Sequence, residues 1–159
     1  MKYMMAAVFA LLFTVAGSGC ARQEIRTDNA TENEIAGTYS LIVCSDWYGS
    51  DLVTVAVLSK EDAPYALVPY GPDFNCSITK HQAAKDALAE AAGIIRRNPD
   101  VAGTQLGRIT DISGKVLGYE VRPVYRAFRY GSPDIFETFY WRENDKVFFK
   151  IWFLPREER

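Results

Sequence analysis

This 159-residue chain has few thiol and imidazole side chains that could pair as nucleophile and general base. It has three cysteines and one histidine, and His81 stands five residues after Cys76. A histidine that takes the proton of a cysteine makes it a nucleophile, so His81 with Cys76 or Cys44 could form the dyad of a thiol hydrolase. In an oxidising compartment, however, two cysteines more often pair. We therefore predict a disulfide between Cys44 and Cys76 and keep the dyad as the alternative.

The acidic side chains show no catalytic or metal-binding pattern. They are scattered over predicted loops and strand ends: Asp46, Asp51, Glu61, Asp62, Asp73, Asp100 and Asp111. None has the spacing of a calcium-binding loop, and a glycosidase-like carboxylate pair is recognisable only from its separation in space. The sequence contains no metalloprotease, phosphate-loop or serine-hydrolase motif. We predict no metal, no cofactor and no catalytic residue, with a small hydrolase that uses a thiol or carboxylates as the alternative.

The N-terminal residues predict export. Lys2 is followed by an uncharged apolar run from Met4 to Val15 and then by small residues. This is the pattern of a secretory signal peptide, and the run is short for a transmembrane span. We predict that residues 1–19 are removed, so the formal net charge of −2 becomes −3 with the loss of Lys2. A mildly acidic protein is a poor candidate for binding nucleic acid or an anionic membrane surface.

The end of this segment, Gly17-Ser18-Gly19-Cys20, resembles the lipobox of bacterial lipoproteins. The resemblance covers only about the first 21 residues of the chain. It implies that the Cys20 thiol is diacylated and that the chain is cut just before it. Gly17 departs from the pattern, which usually has an aliphatic residue there, and an ordinary signal peptidase could instead cut after Ser18. With Ala21 after the cysteine, the resemblance implies an outer-membrane lipoprotein facing the periplasm; the alternative is a soluble periplasmic or secreted protein.

The mature chain divides into a tether and a domain. Residues 20–34 lack apolar periodicity and predict a lipid-anchored flexible tether. Residues 35–159 predict a single globular domain. A disulfide between Cys44 and Cys76 would stabilise that domain by roughly 3–4 kcal/mol.

Hydrophobic periodicity in this domain predicts an α+β fold. β-branched or alternating runs predict strands at 37–44, 51–59, 65–70, 104–112 and 116–128, followed by a terminal hairpin between Asp134 and Pro155. One helix is predicted over about 79–98, with Thr79 and Gln82 as a capping box and an alanine-rich apolar stripe. We expect a curved antiparallel sheet of about six to seven strands to pack its core face on this helix.

The strand at 116–128 carries a basic and aromatic cluster. Leu117, Tyr119 and Val121 are predicted to face the core, whereas Glu120 and Arg122 are predicted to face solvent with Arg126. In an acidic exported protein these arginines are more typical of salt bridges, or of contact with an anionic envelope partner, than of nucleic-acid binding.

The terminal hairpin is apolar on both faces. A two-residue turn at Asn144-Asp145 pairs Tyr140 with Phe149 on the predicted core face. The opposite face groups aromatic side chains with one lysine: Phe139, Trp141, Phe148, Lys150 and Trp152. An open aromatic patch of this kind is typical of a binding surface, although the fold or a homodimer could also cover it.

Taken together, these features predict a non-enzymatic, membrane-tethered binding or scaffold protein of the cell envelope. Its predicted binding residues are those of the outer hairpin face, assisted by Arg122 and Arg126. Its predicted partner is an envelope protein or another envelope ligand, with the membrane contacted through the lipid anchor.

Overall fold

The computed structural model describes residues 24–46, 54–71, 74–126 and 135–154. These residues form nine strands and one helix, in the following order: β1 (Ile25–Asn29), β2 (Tyr39–Asp46), β3 (Thr54–Lys60), β4 (Ala66–Pro69), β5 (Phe74–His81), α1 (Ala84–Ile95), β6 (Val101–Asp111), β7 (Val116–Tyr125), β8 (Ile135–Glu143) and β9 (Lys146–Leu154). A short 3₁₀ turn, Glu32–Glu34, follows β1.

The strands form two sheets. The larger sheet has six antiparallel strands in the order β1-β6-β7-β3-β2-β5, and the smaller has the order β4-β9-β8, in which β4 runs parallel to β9. The predicted α+β class is confirmed, since a mainly antiparallel fold carries one helix. The predicted six to seven strands in one sheet differ from the nine in two sheets, because local patterns do not reveal which strands become neighbours.

The central strands of the larger sheet are buried on both faces. One cluster lies between this sheet and the helix: Tyr39, Leu41, Ala56, Leu58, Ala84, Ala87, Ala91, Ile95, Val101, Tyr119 and Val121. A second cluster lies between the two sheets: Ile25, Ile42, Cys44, Val55, Val57, Leu67, Ile109, Leu117, Tyr140, Val147 and Phe149. The core face of the terminal hairpin therefore packs on the larger sheet, and the helix occupies the opposite side of that sheet.

The helix is shorter than its predicted range. It begins at Ala84 with Ala83 as the N-cap residue, and its C-cap is Arg96. Thr79 belongs to β5 and pairs with Leu41, so the predicted capping box with Gln82 is wrong. The ladder with β2 continues to His81, and this tertiary pairing overrides the local helix signal. The alanine-rich face packs on the sheet as predicted.

Part of the predicted tether is folded. Ile25–Asn29 pairs with β6 along its whole length, and Ile25 is buried between the two sheets. The Thr31 N–H then donates to Glu34 Oε1 at 2.7 Å, and Glu34 also contacts Arg108. The structure thus differs from the predicted flexible tether over 25–34. The prediction failed because four of the five β1 residues are exposed, so this edge strand has the polar composition of a loop.

A bulge in β7 changes the face that one side chain occupies. The register between β6 and β7 shifts at this point, since Ile109 pairs with Gly118 but Thr110 pairs with Val116. Leu117 consequently packs between the two sheets, although Tyr119, two residues on, packs toward the helix. The prediction that these two side chains share one face is wrong, because an extra residue interrupts the two-residue alternation.

Cys44 and Cys76 are joined in a disulfide. They are direct cross-strand partners on β2 and β5. The bond therefore fastens β5, the last strand of the larger sheet, to its neighbour.

Candidate functional site

The terminal hairpin has the register predicted from its sequence. Glu143 pairs with Lys146 across the two-residue turn, and every following pair keeps this alignment through β8 and β9. Asn144 adopts a φ of 56°, which asparagine tolerates better than most residues. Tyr140 and Phe149 are buried on the inner face, so their neighbours in sequence must lie on the outer face.

An aromatic cluster lies on this outer face. The rings of Trp141 and Phe148 stack with their centroids 5.9 Å apart. Tyr70 packs edge-on against both of them, with centroid distances of 5.0 Å to Trp141 and 5.7 Å to Phe148. Edge-to-face and offset contacts at these distances are the favoured geometries of aromatic pairs. The three rings therefore form one ordered group.

Two of the aromatic rings on this face are substantially exposed. Tyr70 is 49 % exposed and Phe139 is 41 % exposed, whereas Trp141, Phe148 and Lys150 are half-buried. We define the aromatic surface as Tyr70, Phe139, Trp141 and Phe148, with Lys150 beside Phe139 in the register. The Tyr70 ring covers part of Trp141 and Phe148, and the exposed rings of Tyr70 and Phe139 remain accessible. The side chain of Trp152 lies outside the described residues.

Sequence reasoning missed Tyr70. It directly follows β4, and its N–H donates to the Phe149 carbonyl oxygen at 2.9 Å. Val68 pairs with Phe148 in the parallel ladder, which brings the end of β4 alongside the hairpin. No local signal indicates this pairing, because β4 and β9 are far apart in sequence and parallel neighbours share no turn.

The two arginines predicted to assist this surface make other contacts. Arg122 Nε lies 3.5 Å from Glu120 Oε1. Arg126 donates its N–H to the Asp100 carbonyl oxygen at 2.7 Å and its Nε–H to the Pro99 carbonyl oxygen at 3.3 Å. Arg122 therefore pairs with a carboxylate of its own strand, and Arg126 anchors the end of β7 to the loop after the helix.

Glu120 is buried between the two sheets, which corrects its predicted position facing solvent. Its side chain is 2 % exposed, and its Oε2 accepts a hydrogen bond of 2.6 Å from the Tyr140 hydroxyl of β8. Gly107 on β6 leaves just enough room for it, since a Cβ at that glycine would lie 3.0 Å from Glu120 Cγ. The prediction failed because the smaller sheet covers a face of β7 whose sequence pattern is polar.

Burial dominates the electrostatics of this carboxyl. It raises the pKa of Glu120 above its usual 4.5, although the hydrogen bond from Tyr140 and the charge of Arg122 act in the opposite direction. Burial and the neighbouring carboxylate likewise raise the pKa of Tyr140 well above its usual range. A carboxyl with so little exposure cannot meet a substrate. Its hydrogen bond with Tyr140 connects the larger sheet to the hairpin, and we call this bond a polar tie.

The residues of the alternative thiol dyad are not arranged for catalysis. Both Cys44 and Cys76 are in the disulfide, so neither is a thiolate. His81 ends β5, and its Nε2 lies 2.6 Å from Glu90 Oε2 of the helix. Because both thiols are in the disulfide, His81 has no nucleophile to activate. Its contact with Glu90 instead connects β5 to α1.

A shallow groove of about 710 Å³ lies beside the helix. Its walls combine apolar residues such as Leu88 and Ala92 with the charged Glu32, Lys85 and Arg96. All three charged residues are exposed. The groove thus lacks the buried, convergent polar groups that fix a small ligand, and the aromatic surface is the stronger candidate.

Within the described ranges, no group of three metal-ligating side chains has the geometry to hold an ion. No helix in the same ranges is long and apolar enough to cross a bilayer. Comparisons of the chain with models of protein families, with functionally described proteins and with solved structures found no match, so the site is interpreted from its own residues.

Proposed function

We propose that this protein is a lipid-anchored module of the cell envelope that binds an envelope protein or another envelope ligand without catalysis. The anchor would be Cys20, and the binding site would be the aromatic surface. The observation that carries the proposal is the cluster of Tyr70, Trp141 and Phe148, which continues into the exposed Phe139 ring.

The physical properties of this surface support binding. Aromatic side chains present a large contact area at low entropic cost, and they are enriched in the central parts of interfaces. Three of the rings hold one another in place, so little conformational freedom would be lost when a ligand binds. Lys150 adds a cation beside Phe139, which suits a partner with an anionic or polar rim.

Cross-linking tests the location of the site. The full chain is expressed in a bacterial cell with a photoreactive phenylalanine analogue at position 139. This analogue should form an adduct with the ligand. The matched control is the same analogue at Val124, which is 43 % exposed on β7 against 41 % for Phe139. We expect the adduct from position 139 alone. Equal adducts from both positions, or an adduct only with a second copy of this chain, would contradict the proposal.

Removal of Trp141 should weaken binding. We expect Trp141→Ala to reduce adduct formation through position 139 by about tenfold or more, because a central aromatic anchor commonly contributes about 2 kcal/mol or more to an interface. The same change would remove support from Tyr70 and Phe148, so the thermal midpoint of each variant must be measured. Tyr70→Ala, at a more exposed ring, provides the second variant. Unchanged adducts in both folded variants would count against the aromatic surface.

A further inference from the structure

The two edges of the larger sheet differ. β1 is five residues long and carries Arg26 and Asp28 among its exposed residues. β5 is eight residues long, contains no proline, and pairs along its whole length with β2; its lysine, Lys80, forms an ion pair with Glu61 at 3.0 Å. Ile78, near its centre, is 65 % exposed. Short and charged edges resist pairing with other chains, whereas a long edge with an exposed aliphatic residue favours it.

The disulfide reveals which backbone groups of β5 point outward. Cys44 and Cys76 are direct partners, and their Cα atoms are 4.2 Å apart. In an antiparallel ladder this short distance is typical of a non-hydrogen-bonded pair, about 4.5 Å against about 5.5 Å for a hydrogen-bonded one. The N–H and C=O of Cys76 therefore point away from β2. Because the pattern alternates, those of Ile78 and Lys80 do so as well, and no described strand lies beyond them.

We propose that the outer edge of β5 pairs with β5 of a second copy of this chain, antiparallel about a twofold axis. The backbone pattern is suited to this, since a strand whose alternate residues point outward can bond to the same residues of its copy. With Ile78 at the axis, two exposed isoleucines bury each other, and Ser77 lies opposite Thr79 of the second copy. Lys80 then lies opposite Cys76, so the two lysines do not face each other.

This pairing is independent of the aromatic surface, because β5 belongs to the larger sheet and the aromatic surface to the smaller one. The pairing of β5 with its copy would also benefit from the disulfide between Cys44 and Cys76. A strand that is covalently fastened to its neighbour presents a fixed edge, which lowers the entropy lost when another strand adds to it.

Sedimentation velocity of the full chain in a mild detergent tests the proposal. We expect a monomer–dimer equilibrium that Ile78→Lys weakens by about tenfold or more, because two cations would meet at the axis. The matched control is Ile112→Lys, since Ile112 is 71 % exposed in the turn after β6. All three chains share the same N-terminal residues, so any association through those residues is common to them. A wild-type monomer at every concentration, or an Ile78→Lys dimer as tight as wild type, would overturn the proposal.

Hydrogen exchange gives a second readout that does not depend on a variant. The amides of Ser77 and Thr79 point to β2 and should be protected at every concentration. Those of Cys76, Ile78 and Lys80 should gain protection only as the dimer forms. If these three amides exchange equally fast in dilute and concentrated samples, the β5 pairing is refuted even where a dimer sediments.

Discussion

Gly118→Ala should destabilise the protein by about 3–4 kcal/mol. A Cβ at this position would lie 2.1 Å from the carbonyl oxygen of Leu58 and 2.9 Å from Cδ1 of Leu67. Neither neighbour can move freely, because the first is backbone in the centre of the larger sheet and Leu67 is buried between the sheets. The added methyl group must therefore push β3 and β7 apart where Gly118 pairs with Ser59.

The measurement is a denaturant or thermal unfolding curve, where a loss of this size lowers the midpoint by roughly 10 °C. Gly103→Ala is the control, since a Cβ at Gly103 in β6 would meet nothing within 4 Å. We expect that variant to stay within about 1 kcal/mol of wild type. Similar stability for both variants would mean that the close approach of β3 to Gly118 is not a feature of the folded protein.

The parts of the fold that the sequence predicts are those with strong local patterns. The hairpin register follows from the turn at Asn144 and from alternation on both strands, and all its pairs are as predicted. The alanine stripe of α1 likewise identifies the helix face that meets the sheet. In each case a periodic pattern and its boundary lie within one stretch of chain, so no distant contact is needed to interpret them.

The features that sequence reasoning missed depend on distant partners. Thr79 is part of β5 because β2 supplies a ladder, and Tyr70 reaches the hairpin because β4 pairs with β9. Glu120 alternates with apolar residues as a solvent-facing residue would, and only the second sheet makes it buried. A pattern of polar and apolar residues cannot show that a later segment will cover the polar side of a strand.

The buried carboxyl explains how the hairpin can be held in one position. The hydrophobic cluster between the two sheets is mostly aliphatic and aromatic, and apolar contacts alone allow one sheet to shift over the other. The hydrogen bond from Tyr140 to Glu120 is directional and joins β8 to β7. Trp141 directly follows Tyr140, so we expect this bond also to limit movement of the aromatic surface on the other side of β8.

Tyr140→Phe should destabilise the protein by about 2–3 kcal/mol at neutral pH. The substitution keeps the buried ring but removes the hydroxyl group that donates a hydrogen bond of 2.6 Å to Glu120 Oε2. An ionised carboxylate would then remain between the sheets with one donor fewer, and Arg122 is 3.5 Å away. Glu120→Gln is the companion variant, because it removes the charge while keeping the shape of the side chain.

The pH dependence of stability separates these two variants. The pKa of Glu120 is raised in the folded state above its usual 4.5, so between these values the folded protein binds more protons than the unfolded chain. Stability from this group is therefore fully present below pH 4.5 and is lost as the pH rises through the raised pKa. Among the described residues, the charged and titratable groups that face the carboxyl are Arg122 from β7 and the Tyr140 hydroxyl from β8.

Unfolding curves recorded over this pH range should show that wild type loses stability as the pH rises and that Tyr140→Phe loses more, since it lacks the donor that partly offsets the buried charge. Glu120→Gln should lack this loss, and its stability should rise slightly with pH near 4.5, because the pKa values of Glu34, Glu61 and Asp111 are lowered in the folded state. If Glu120→Gln kept the wild-type slope, another group would be responsible, and Glu120 would be ionised in both states. In that case water would reach the carboxyl, and the bond to Tyr140 could not be the polar tie that orients the hairpin.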